Sequence, residues 1–183
     1  MPSGRTHDRV TIWTLPLVFL TALQLTLDVG LTAIASLSYL FGGLMFGPDL
    51  DIHSVQYKRW GTLRWIWLPY RGSLRHRSWL SHGPIVGTTL RVLYFFAWVA
   101  LVGIIVIDAL NGSGKTALTW NHLVDEVGES LQNFWRSWLT LFLGLEAGAL
   151  SHYSLDWLSS QTKSSRKKQR KKSPRRNRRK KRR

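Results

Sequence analysis

The 183-residue chain contains no cysteine. Disulfides, thiolate nucleophiles and Cys-type zinc sites are therefore excluded. Any bound metal must be held by His, Asp and Glu, which suits zinc, manganese, iron or magnesium better than softer ions. Acids are scarce as well: ten Asp and Glu stand against 26 Lys and Arg, for a net charge of +16. The excess is uneven, because 15 of those basic residues fall between Lys163 and Arg183. A like-charge block of this density repels itself and is expected to be disordered. The reading is an apolar domain over 1–160 and a disordered polybasic tail over 161–183.

Charge is also absent from long internal runs. Val10 to Leu27 (18 residues) and Val29 to Pro48 (20 residues) carry none. Gly83 to Ile107 (25 residues) carries only Arg91, and Leu131 to Leu150 only Arg136 and Glu146. About 20 apolar residues cross a bilayer as a helix. The fold class expected is all-α: a four-helix transmembrane bundle with an interfacial helical loop and the basic C-terminal tail. Asp28-Val29-Gly30 reads as the tight turn between the first two spans.

Four spans place both termini on one side, with the loop 49–82. That side carries Arg5, Arg9, Lys58, Arg59, Arg64, Arg71, Arg75 and Arg77 besides the tail, which marks it as cytoplasmic. Trp60, Trp65, Trp67 and Tyr70 lie among those arginines, as expected of an interfacial segment. The chain is expected to be an integral membrane protein in contact with membrane lipids.

The few acids and histidines sort by this map. Five of six histidines (His7, His53, His76, His82 and His152) fall on the cytoplasmic side with Asp8, Asp49, Asp51 and Asp156. Only His122 falls opposite, beside Asp125, Glu126 and Glu129. In "FGPDLDIHS", an extended backbone after Pro48 would point Asp49 and Asp51 the same way. "HRSWLSH" places His76 and His82 just before the third span. In "GLEAGALSHYSLD", Gly144, Gly148, His152 and Asp156 recur every four residues and share a helical stripe. The glycines permit close helix approach, and His152 and Asp156 can reach one ion. Four span ends thus present His or Asp on one side, which points to a shared site for one or two divalent ions. Asp51 is a candidate general base. Arg75 and Arg77, flanking His76, are candidate phosphate contacts. His53 reads as an outer residue, and Glu146 as a packing or helix-pairing residue.

These motifs resemble the YdjM-like family of bacterial inner-membrane proteins, described as metal-dependent hydrolases, with its N-terminal His and its PDxD, HRGxTH and GxLSHxxxD elements. The layout from "PSGRTHDR" through "FGGLMFGPDLDIHS" and "RWIWLPY" to "LSHG" is closer still to uncharacterised metal-binding membrane proteins common in cyanobacteria. The resemblance covers most of residues 1–158. It implies His7, Asp49, Asp51, His76, His82, His152 and Asp156 as site residues. The chain departs from the hydrolase pattern in spacing His76 and His82 six apart, without the glycine.

Two functional classes follow. One is a metal-dependent hydrolase at the cytoplasmic face, acidifying water to attack an ester or phosphoester. The other is non-enzymatic metal binding or ion handling. A third reading is a scaffold whose tail takes anionic lipid headgroups or RNA. "ALNGSGKT" matches a phosphate loop only loosely and lacks a parallel sheet, so no nucleotide is expected at Gly114-Lys115-Thr116.

Overall fold

A computed structural model describes residues 4–114 and 119–172, with side chains as far as residue 161. The chain is all-helical, with no strand among the described residues. Helix α1 spans Gly4–Thr26 and α2 spans Val29–Leu44. Asp28 caps α2, its carboxylate accepting the Leu31 N–H at 3.0 Å, so two residues suffice to reverse the chain. Helix α6 (Val86–Gly112) and helix α8 (Trp135–Lys172) complete the long elements.

Three helical segments among the described residues are long and apolar enough to cross a membrane: Gly4–Thr26, Val29–Asp51 and Val86–Gly112. The fourth expected span, Leu131–Leu150, is divided. Its first residues close helix α7 (Trp120–Asn133), and α8 starts afresh at Trp135. Arg136 and Glu146 dilute the apolar run of α8. Helix α8 also continues beyond residue 161 to Lys172, into the segment read as disordered. Lys, Arg and Gln are good helix formers, and extending an existing helix avoids the cost of nucleation. Residues 173–183, and Lys115 and Thr116 of the loop discussed above, lie outside the described residues.

Helix α8 packs against α2 through backbone rather than side chains. A Cβ added at Gly42 would lie 2.5 Å from the Leu145 carbonyl oxygen, and one at Gly148 would lie 2.5 Å from the Gly43 nitrogen. Small residues thus bring the two helices into direct contact, the arrangement that substitutes for hydrophobic packing in lipid. Helix α1 runs antiparallel to α2, joined by a Thr14–Tyr39 hydroxyl pair at 2.5 Å.

The segment between α2 and α6 is a folded cap. It comprises a 3₁₀ helix at Pro48–Asp51, α3 (Val55–Arg59), a 3₁₀ helix at Gly61–Trp67, α4 (Leu68–Ser73) and α5 (Trp79–His82). The main apolar cluster lies here: Phe46, Leu50, Tyr57, Ile66, Trp67 and Tyr70, with Leu145 of α8. Trp67 is fully buried, edge-on to Phe46 and Trp60, while Trp65 stays half exposed. The Tyr94 hydroxyl of α6 donates to the Ile66 carbonyl and ties the cap to that helix.

Candidate metal centre

The seven candidate ligands arrive from five separate segments of the chain. His7 lies in the first turns of α1, and Asp49 and Asp51 in the 3₁₀ helix after α2. His76 follows α4, His82 ends α5, and His152 and Asp156 lie on α8. The Pro48–Asp51 turn forms because proline is favoured at a helix start. The Gln56 side chain then braces it, accepting the Asp49 N–H at 3.2 Å and donating to the Gly43 carbonyl at 2.8 Å. Contrary to the extended backbone expected after Pro48, this turn is helical, and its two carboxylates share His82 but otherwise face different histidines.

The contacts run continuously through all seven residues. Asp51 Oδ1 meets His76 Nδ1 at 2.9 Å, and Asp51 Oδ2 lies 3.7 Å from His82 Nδ1. His82 Nε2 lies 3.8 Å from Asp49 Oδ1. Asp49 Oδ2 lies 3.2 Å from His152 Nε2. The His152 ring stacks on His7 with centroids 3.7 Å apart, and His7 Nε2 lies 3.5 Å from Asp156 Oδ1. Asp49, His76 and His82 each offer a ligand atom within 4.8 Å of the others, a spacing that can enclose one ion.

Burial makes this cluster unusual. His7, Asp51 and His152 are at most 5% exposed. His7 Nδ1, Asp49 Oδ1, Asp51 Oδ2, His82 Nε2 and both His152 nitrogens are buried without a hydrogen-bond partner among the protein atoms. Each such atom costs about 1–3 kcal/mol. Imidazole nitrogens and carboxylate oxygens are the donor set of a hard or borderline divalent ion, so the residues present fit a metal.

The surroundings orient this set. Asp51, bonded to His76 Nδ1, leaves the other ring nitrogen as the open one. Ser81 Oγ lies 2.8 Å from His82 Nδ1 and does the same for that ring. Arg77, in the left-handed region at φ 62°, sets Nη2 3.5 Å from Asp156 Oδ2. Arg75 is exposed and makes no ion pair among the described residues. Asp8 is held away from the cluster by a two-pronged pair with Arg59 at 2.9 and 2.6 Å. His53 is exposed beside Tyr57, and His122 pairs with Glu126 at 3.9 Å on α7. Neither joins the cluster.

Two residues carry more structure than their sequence context suggests. Glu146 is buried, and its Oε1 accepts the Ile85 N–H at 3.0 Å, fixing the start of α6 against α8. Arg91 is fully buried and bonds across to the His82 and His152 segments. A lone charge in an otherwise apolar run was the available signal for each.

A family model described as uncharacterized metal-binding protein (DUF2227) matches residues 2–166. An uncharacterized protein of Aquifex aeolicus (strain VF5) is 37% identical over 59 residues, which cover 32% of this chain. The matched segment spans 41% of that relative's length. No solved structure matches the chain.

Proposed function

The chain belongs to that family of metal-binding proteins, and from this premise we propose a divalent-metal centre at the cytoplasmic face of an integral membrane protein, hydrolysing a phosphoester of a membrane lipid. In this reading α8 crosses as a fourth helix beside the three apolar ones and both termini are cytoplasmic, which would set every ligand-bearing segment at that face. The observation that carries the reading is the continuous chain of contacts among His7, Asp49, Asp51, His76, His82, His152 and Asp156, with six buried ligand atoms lacking protein partners.

A divalent ion such as zinc, manganese, iron or magnesium would supply Lewis acidity, polarising an ester and acidifying water near neutral pH. The chain's own residues divide the remaining work. Asp49, His76 and His82 are the primary ligand set, and His152, His7 and Asp156 extend it toward a second position. Asp51 has a fully buried side chain bonded to His76. Its part in this reading is to hold the tautomer of His76, rather than to act as the general base its sequence position suggested. Arg75, exposed, and Arg77, at the edge of the site, are available to a phosphate.

The lipid substrate class rests on position. An apolar crevice of about 450 Å³ opens between α2, α6 and α8, lined by Phe41, Phe46, Phe95, Phe96, Trp138 and Leu145 among others. Phe46 lies just before Pro48–Asp51, and Leu145 lies two turns before His152 on α8. An acyl chain in this crevice would leave its headgroup near the carboxylates.

The test is turnover. Purified protein reconstituted in lipid and supplied with zinc, manganese, iron or magnesium is assayed against ester and phosphoester lipids. The reading expects hydrolysis of a phosphoester, lost in Asp49→Ala. Tight, stoichiometric metal with no turnover across the panel would replace hydrolysis with metal binding alone.

A further inference from the structure

Arg91 lies in the second turn of α6, and none of its side chain reaches the surface. A guanidinium is always charged, and a buried charge is expensive unless opposed by another. Yet its hydrogen-bond partners are neutral. Nη1 donates to the Ser81 carbonyl at 3.0 Å, and Nη2 donates to Thr88 Oγ1 at 2.8 Å and to the Tyr153 hydroxyl at 3.4 Å. Nε has no hydrogen-bond partner among the protein atoms. The approach is built for: a Cβ at Gly87 would lie 2.7 Å from the Ser81 oxygen and 3.4 Å from Nη1.

The partners are placed informatively. Ser81 precedes His82 and touches its Nδ1. Tyr153 follows His152, and its ring lies 5.9 Å from that of His82. One rigid fork therefore spans the α5 end and the α8 stripe, the two segments that deliver His82 and His152. Three carboxylates (Asp49, Asp51 and Asp156) lie in the cluster just beyond, and only Asp156 has an arginine beside it, Arg77. Tyr70 is buried in the neighbouring apolar cluster: burial pushes its phenol up to about 12, Arg91 opposes that shift by its charge and by polar contact, and Asp51 adds to it.

We propose that Arg91 is a positioning residue of the metal centre, clamping the His82 and His152 segments at a fixed separation and offsetting the carboxylate charge from behind the ligands. The proposal rests on the reading of the seven side chains as a metal site. Arg91 touches no ligand atom; it acts through Ser81 and Tyr153.

The experiment titrates full-length, detergent-purified protein, stripped of metal, with Co²⁺ as the probe. Affinity and the visible d–d spectrum are recorded for wild type, Arg91→Gln, Arg91→Lys and Tyr153→Phe. Arg91→Gln is expected to weaken Co²⁺ binding about 10–100-fold, the usual effect of losing an outer-shell partner, and to shift the spectrum. Arg91→Lys restores part of the affinity through its charge but keeps a shifted spectrum, because an ammonium lacks the fork. Tyr153→Phe removes one hydroxyl and is the variant expected to fold even if the Arg91 substitutions do not. It should weaken Co²⁺ binding several-fold while the melting temperature of the metal-free protein stays within 2–3 °C of wild type. Wild-type affinity and spectrum in Tyr153→Phe and in whichever Arg91 variants fold would overturn the proposal and leave the metal site standing. Failure of wild type to bind Co²⁺ would overturn both.

Discussion

Gly148→Ala is the smallest substitution that should disable the site without touching a ligand. A Cβ at this position meets backbone: the Tyr39 carbonyl oxygen closest of all, then the Gly43 nitrogen at 2.5 Å and the Gly42 carbonyl carbon at 2.9 Å. Ordinary contact begins near 3.4 Å, so α2 and α8 must separate by about 1 Å. No side chain can rotate to relieve this. His152 is one turn further along α8 and lies 3.2 Å from Asp49, which follows α2. The displacement is therefore passed to the ligands almost undiminished. Functional constellations must be held within about 0.5 Å of the productive geometry, so a shift of this size should weaken metal binding by about tenfold or more. Overpacking should also cost about 1–3 kcal/mol of stability. Gly103→Ala serves as the control, since nothing lies within 4 Å of its added Cβ. Calorimetric titration of both variants with zinc reads the difference. Wild-type affinity in Gly148→Ala would refute the claim that the α2–α8 glycine contact sets the ligand geometry.

Other outcomes follow from the same geometry. Asp51→Asn, which keeps shape but weakens the hold on His76 Nδ1, should cost about 10–100-fold in zinc affinity; His82→Ala, which deletes a ligand, should cost more, both read by competition with a chromogenic chelator. Zinc should be released on acidification, because ring nitrogens must be unprotonated to ligate; equilibrium dialysis across a descending pH series checks this. Tyr70, whose phenol burial pushes up to about 12, sits above the unfolded value of 10. Its contribution to stability is therefore complete below pH 10 and is lost between pH 10 and 12. Chemical denaturation over that range should show a decline that Tyr70→Phe reduces. Weakening the partly exposed Arg59–Asp8 pair with Asp8→Asn should cost under about 1 kcal/mol, read by chemical denaturation, and leave zinc affinity unchanged.

The long apolar runs and the order of polar groups at their ends were legible in the sequence because both are one-dimensional signals. A run has a length, and a span end has a side. The Gly144–Gly148–His152–Asp156 stripe was legible for the same reason, since helical periodicity converts spacing into direction. Other features depend on pairings across the chain and left no local mark. Nothing in "RWIWLPY" says that Trp67 is enclosed by Phe46, Trp60 and Tyr70 while Trp65, two residues away, faces outward. Asp49 and Asp51 have the spacing expected to turn them the same way, yet the helical turn leaves them sharing only His82, with His152 beside Asp49 and His76 beside Asp51. The Glu146 carboxylate that accepts the Ile85 N–H at the start of α6 joins residues 61 positions apart. The division of the fourth run at Phe134 follows from α7 ending there, its own stripe of Trp120, Val124, Val127 and Leu131 being amphipathic rather than wholly apolar.

The central claim is that side chains remote in sequence form one metal-holding pocket. It is tested most directly by the metal-to-protein ratio of protein purified from membranes without added metal, compared with the His152→Ala/Asp51→Ala double variant. The account predicts at least one divalent ion per chain in wild type and close to none in the double variant. A wild-type ratio near zero, or an equal ratio in both proteins, would contradict it.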